Sequence, residues 1–183
     1  MALKATIYKA ELQIADMDRN YYAEHGLTIA RHPSETDERV MIRVLAFALH
    51  ANEALAFTKG LFDTDEPDLW QKDLTGAIDT WIEVGQPDEK RLLKACGRAE
   101  HVFVYCYSAT SHIWWKGLAN KLERARNLTV INIPAETSAA LEQLAKRSMQ
   151  LQCTIQDGQL WLTDSVDTVL VERETFKAAA SSY

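Results

Sequence analysis

The chain is poor in the residues that build phosphate cradles, disulfide frameworks and membrane spans. It has seven glycines, four prolines and three cysteines in 183 residues. No apolar run approaches the roughly 18 residues a membrane helix needs, so a spanning segment is not expected. The cysteines, Cys96, Cys106 and Cys153, are odd in number and widely spaced, which gives neither a disulfide framework nor a CxxC metal pair. They read as reduced, buried thiols. The start of the chain lacks the apolar core of a signal peptide. Together these features point to the cytoplasm. There is no Walker loop, no GxGxxG after a strand and no GxSxG elbow. The five histidines show no HExxH or other close pairing, which argues against a zinc hydrolase. Basic charge is also short. Twenty Lys+Arg against 26 Asp+Glu leave a net charge of −6, which disfavours a protein that coats nucleic acid nonspecifically but permits a local basic patch.

The 47% hydrophobic content is that of a folded globular chain, and the length suits roughly one domain. Tyr8, Ala10, Leu12 and Ile14 alternate with polar residues and predict a strand. A second strand over Tyr21 to Ala30 completes a hairpin. Ser34 is expected to cap a helix with Asp37 in capping-box position; Val40, Met41, Val44, Leu45 and Ala48 carry its 3.6-residue period. A short strand near Ala54 to Thr58 and an acidic turn over Phe62 to Pro67 follow. Ile78 to Val84 predicts a strand with Asp79, Trp81 and Glu83 on one face. Pro87 opens a helix to about Ala99, and Val102 to Tyr107 reads as a strand covered on both faces. A helix over Ser111 to Arg126, a strand over Leu128 to Ile133 and a helix after Pro134 alternate from there. Asp157-Gly158 predicts a tight hairpin, and a last strand falls near Val169 to Val171. The tail from Lys177 to Tyr183 is expected to fray. No linker or repeat divides the chain, so residues 1–183 read as a single α/β domain. Its mixed sheet is flanked by helices, with antiparallel hairpins at both ends.

Carboxylates are the chemistry on offer. Asp68 follows Pro67, and Glu83 lies near the end of the Ile78 to Val84 strand. Two acids at the ends of adjacent strands suit Mg²⁺, which takes oxygen ligands from one or two carboxylates and fills its remaining positions with water. That is the geometry of a metal-dependent phosphodiesterase. The same residues also suit plain structural roles: a turn aspartate, a solvated strand face and an exposed basic helix face.

Pro67-Asp68 and Glu83 resemble the PD-(D/E)XK nuclease pattern, with Gly85 standing where that pattern has lysine. The resemblance implies Asp68 and Glu83 as metal ligands. Lys94, with Lys90 second, is the candidate to replace the missing lysine from the following helix. Glu38 or Glu35 is the candidate for an auxiliary carboxylate, and Arg39 and Arg43 could meet phosphate. Arg91, Lys94 and Arg98 share a helix face at i, i+3 and i+7. With Arg39 and Arg43 they are the expected nucleic-acid-binding residues.

A second resemblance covers nearly the whole chain. MALKATIYK at Met1 to Lys9, HPSE at His32 to Glu35, EPDLW at Glu66 to Trp70, GQPDEKR at Gly85 to Arg91, KACGRA at Lys94 to Ala99 and SMQLQ at Ser148 to Gln152 are similar to the bacterial YaeQ proteins. This likeness implies a restriction-endonuclease-like α/β fold with a departed active-site motif. Three functions are to be weighed. One is a Mg²⁺-dependent nuclease or phosphodiesterase. Another is a non-catalytic regulator that binds nucleic acid or a transcription-related protein. The third is an interaction protein using surface tryptophans, although core packing accounts for most of them.

Overall fold

The computed structural model describes residues 4–59, 61 and 63–180. The outermost residues of both termini, and with them part of the expected frayed tail and of the Phe62 to Pro67 turn, lie outside the described residues. Backbone contacts divide the chain into two compact units, and each is assembled from two separate stretches.

The first unit comprises Met1–Leu49 and Glu136–Glu172. Its sheet has the order β10-β9-β8-β1-β2, built from β1 (Thr6–Asp16), β2 (Tyr21–Arg31), β8 (Ser148–Gln156), β9 (Gln159–Thr163) and β10 (Thr168–Val171). The alternation expected in β1 is present: Tyr8, Ala10, Leu12 and Ile14 are all buried. Strand β8 answers it with Met149, Leu151, Cys153 and Ile155. The two strands run parallel with Leu12 beside Leu151, so both apolar sets share one face. Asp157 and Gly158 adopt positive φ of 53° and 76°, the backbone a two-residue hairpin demands.

Helix α1 spans Asp37–His50. Its cap differs from expectation. Thr36 Oγ1 accepts the Arg39 N–H at 3.1 Å, whereas Ser34 turns to His32 Nδ1. The helix begins later because Glu35 is drawn back by its own backbone bond to His32 and by arginines. Every residue from Val40 to Ala48 is buried, Arg43 included.

The second unit comprises His50–Ala135 and Arg173–Tyr183. Its sheet runs β11-β7-β6-β5-β4-β3, from β3 (Leu55–Phe57), β4 (Leu69–Lys72), β5 (Ile78–Val84), β6 (Ala99–Tyr107), β7 (Leu128–Ile133) and β11 (Glu174–Lys177). Helices α2 (Glu89–Arg98) and α3 (Ser111–Leu118) connect the parallel strands β5, β6 and β7. Trp81, Leu92, Val102, Val104, Leu122 and Leu128 form the centre of its core. α4 (Ala135–Glu142) leads out of it.

The mixed α/β architecture and both kinds of strand pairing match the sequence reading. Three details differ. The strands sort into two mixed sheets rather than one, because β1 recruits β8 and not a strand of the central run. Helix α3 stops at Leu118, beyond Gly117, a weak helix former. The chain then continues in tighter turns, with Lys121 N–H bonded to Leu118 O and Ala125 N–H to Leu122 O. The tail is anchored as far as Ala180: β11 pairs with β7, and Ala180 N–H bonds Arg126 O at 2.8 Å.

Candidate metal and phosphodiester site

Strands β4 and β5 are antiparallel, with Leu69 opposite Ile82 and Trp70 opposite Trp81. Asp68 directly precedes β4, and its N–H bonds Ile82 O at 3.0 Å while its carbonyl accepts the Thr58 N–H, so the ladder is irregular at Asp68, which lies beside the end of β5 that carries Glu83. Both acids are buried, at 3% and 4% exposure. Asp68 Oδ2 accepts the Val84 N–H at 2.8 Å. Glu83 Oε1 accepts Trp81 Nε1–H at 2.9 Å and Arg91 Nε–H at 2.8 Å. Glu83 Oε2 takes no hydrogen bond from the described residues.

Burial raises the Glu83 pKa above its ordinary value, and the neighbouring Asp68 charge raises it further; Arg91 and Trp81 oppose that rise. Two buried carboxylates set against the one guanidinium of Arg91 leave the pair with more negative than positive charge. Among the described residues no group of three or more His, Cys, Asp or Glu is placed to hold a metal ion, so the protein's acidic contribution here is the pair.

The basic stripe of α2 is committed to one segment. Arg91 donates to Thr64 O at 2.5 Å and to Glu66 O at 2.8 Å. Lys94 meets Asp65 Oδ1 at 3.3 Å in an exposed pair. Arg98 donates to Asp65 O at 2.9 Å and lies over the Trp81 ring, 4.9 Å from its centroid. Lys94 therefore turns to the acidic turn, and Arg91 is the cation on Glu83. Gly85 has φ of +116°, with open space around the position of a Cβ.

The remaining expected residues belong to the first unit. Glu35 is buried and accepts from Arg43 at 2.7 and 2.8 Å and from Arg39 at 2.6 Å. Arg39 and Arg43 thus meet a carboxylate of their own unit. Glu38 accepts from Ser138 Oγ at 3.3 Å. Burial, then the charge of Glu142, raises its pKa, with the Ser138 bond opposing. Asp79, expected on the Glu83 side of β5, accepts from Thr80 Oγ1 at 2.9 Å.

Sequence reasoning missed two contributors. Trp81 lies two residues before Glu83 on the same strand face, so the period of two already pairs them. The sequence groups Arg91 with the phosphate contacts, although it sits in the first turn after the Asp88 cap and is closer along the chain to Glu83 than Lys94. Two of the three thiols follow the buried reading: Cys106 and Cys153 are buried and Cys96 is half-buried, and burial pushes the Cys106 pKa up to about 11.

Comparison with known proteins gives consistent relatives. The family described as YaeQ protein matches residues 1–173. The "Uncharacterized protein YaeQ" of Escherichia coli (strain K12) is 47% identical over 172 residues, covering 93% of this chain and 95% of the relative. That of Salmonella typhi is 46% identical over 173 residues, covering 94% and 96%. The crystal structure of the YaeQ protein from Xanthomonas axonopodis pv. citri superposes with a TM-score of 0.91 at 48% identity, covering 95% of this chain and 99% of the other. The YaeQ protein from Pseudomonas syringae gives 0.91 at 36% identity, covering 95% and 97%.

Proposed function

The chain belongs to the YaeQ family, and from that premise we propose that it is a Mg²⁺-dependent nuclease or related phosphodiesterase with a variant PD-(D/E)XK site on a restriction-endonuclease-like core. One observation carries the reading: two buried carboxylates, Asp68 and Glu83, lie at the adjoining ends of β4 and β5, and burial, then the Asp68 charge, raises the Glu83 pKa. The donor set fits the ion. Hard carboxylate oxygens suit Mg²⁺, two are enough, and water completes the shell. A bound Mg²⁺ supplies Lewis-acid polarisation of a phosphoryl oxygen and an acidified water.

The protein's own groups do the rest. Asp68 is oriented by the Val84 N–H, and Glu83 by the Trp81 indole. Arg91 supplies the fixed positive charge beside the pair that Gly85 cannot supply. Charge built up on phosphoryl oxygens is stabilised by preorganised donors of this kind. The free cysteines suit a reducing compartment, and we place the protein in the cytoplasm.

A second reading has its own observation. Arg91, Lys94 and Arg98 are all seated on the Thr64 to Glu66 segment, and Arg39 and Arg43 on Glu35. Cations spent in this way weaken the electrostatic basis for gripping nucleic acid, and of the regulator's two kinds of partner they favour a transcription-related protein.

Mn²⁺ titration by calorimetry and electron paramagnetic resonance separates the two readings. The enzyme reading expects one bound ion, lost in Asp68→Asn and in Glu83→Gln, together with metal-dependent cleavage somewhere in a broad panel of DNA and RNA. Absence of both binding and cleavage in the wild type gives the regulator.

A further inference from the structure

Strand β2 ends the five-stranded sheet, with β1 on one side and no strand on the other among the described residues. It is unusual among the sheet ends here. β10 and β11 have four residues and β3 has three, whereas β2 has 11. Its register with β1 is unbroken from Thr6–Arg31 to Asp16–Tyr21, and it contains no proline or bulge. Long, straight edges of this kind are what native sheets otherwise blunt.

The phase of its hydrogen bonding is fixed twice. Lys9 N–H bonds Arg147 O, so Lys9 addresses β8, and its neighbours Tyr8 and Ala10 address β2. Their partners are Ile29 and Leu27, so the even-numbered residues of β2 turn outward. Ala30 agrees, since its carbonyl accepts from Arg43 Nη2 at 3.1 Å. The outward N–H and C=O groups of Tyr22, Glu24, Gly26 and Thr28 have no hydrogen-bond partner among the described residues. The same four residues are exposed.

We propose that β2 pairs antiparallel with β2 of a second copy of this chain, about a two-fold axis at Gly26, so that the sheet continues across the dimer. Gly26 is the midpoint of Tyr21–Arg31, so the whole strand overlaps itself. In this register Gly26 faces Gly26, Glu24 faces Thr28 and Tyr22 faces Ala30. Every such pair joins outward-bonding residues, as a narrow antiparallel pair requires.

The side chains are self-complementary in the same register. Behind Thr28 stands Lys9, and behind Ala30 stands Ile7. The Glu24 carboxylate of one copy then shares a row with Thr28 and Lys9 of the other. Two strand spacings of about 4.8 Å are within the combined reach of these two side chains. Neither Glu24 nor Lys9 has an ion pair among the described residues. Tyr22 and Ile7, 60% and 43% exposed, meet across Ala30 and cover one another. Glu24 does not face its own copy; Glu11, beside Gly26, shares the central row with its own copy, separated from it by the two glycines. A patch that satisfies itself under a two-fold is an isologous interface.

The test uses the full chain. Light scattering after gel filtration should give twice the 20.7 kDa chain mass. Gly26→Cys should oxidise to a covalent dimer, because facing Cα atoms in such a pair lie about 5.5 Å apart, within disulfide range. Gly26 tolerates the side chain, since a Cβ there meets Glu11 Oε1 at an ordinary 3.5 Å. Lys9→Glu and Glu24→Lys should each weaken association on the order of tenfold, with two pairs lost per dimer, and the double variant should recover it. Gly26→Pro removes only an outward N–H and should give a monomer with unchanged circular dichroism. A monomeric wild type across the accessible concentration range overturns the proposal. So does Gly26→Cys that stays unlinked, or a double variant that does not recover. If Gly26→Pro loses its fold, the cross-link and the charge reversal decide.

Discussion

Arg91 Nε lies 2.8 Å from Glu83 Oε1 while the same guanidinium holds the carbonyls of Thr64 and Glu66. One side chain therefore balances a buried carboxylate and fastens the acidic segment before Pro67. Arg91→Ala should destabilise the fold by about 1.5–3 kcal/mol, the range for hydrogen bonds involving charged groups. The lower end is expected, because the side chain is 29% exposed and screened. Arg91→Lys should recover little, since an ammonium is a point charge without the planar fork. Urea unfolding measures the loss, and limited proteolysis near Asp63 to Glu66 should show the loosened segment.

Glu83 carries a pH signature. Its folded pKa is raised above the ordinary value of 4.5, so the folded state prefers the neutral acid. The stability this gives is full below the ordinary value and is lost as pH rises through the raised one. Glu83→Gln copies the neutral form. It should raise the melting temperature at neutral pH, and its advantage should shrink to nothing in acid below the ordinary carboxyl range. Thermal melts of both proteins across that window check the sign. A variant less stable than wild type at neutral pH would falsify it.

Thr36, not Ser34, accepts the Arg39 N–H in the first turn of α1. Thr36→Ala should cost about 1 kcal/mol, the usual value of an N-cap. Ser34→Ala should leave denaturant midpoints nearly unmoved, since Ser34 is exposed and bonds only the neighbouring His32 ring.

Gly85 occupies the lysine place of the nuclease pattern with φ of +116°. Gly85→Lys should lose about 1–3 kcal/mol through backbone strain rather than collision. It should not create or improve cleavage, because a side chain on that backbone does not leave the strand as the pattern's lysine does. Stability and turnover measured together test both halves.

If cleavage is found, Arg91→Ala should lower its rate on the order of a hundredfold, as for one preorganised donor. Lys94→Ala should change it little, since its ammonium sits on an exposed aspartate. The reverse order, measured under single-turnover conditions, would return the role to Lys94.

Much of this was legible in the chain. The alternation at Tyr8 to Ile14 and the Asp157-Gly158 turn specify backbone directly, through a period of two and positive φ. The interest of Asp68 and Glu83 was readable from Pro67-Asp68 and the acid near the end of β5, but β4 itself (Leu69–Lys72) was not, since four residues are too few to show a period. What was hidden depends on competition for partners. Ser34 and Thr36 are both good caps, and the choice is made by arginines that hold Glu35 from a full turn and more along α1. Lys94 and Arg91 share one helix face, and only the placement of Thr64 to Glu66 decides which one reaches Glu83. The seam between β1 and β8 joins Gln13 to Gln152, and no local pattern marks such a distant neighbour.

That seam has a consequence for synthesis. The β1–β2 hairpin leaves the ribosome before β8, the strand beginning at Ser148 that pairs with β1. The segment His50–Ala135, which supplies five strands of the other sheet, emerges as one piece in between. Closing so long a loop is slow because its entropy must be overcome before any contact rewards it. Until β8 is made the nascent hairpin therefore has both of its edges open, and a chaperone that shields extended chain has its longest task at β1 and β2.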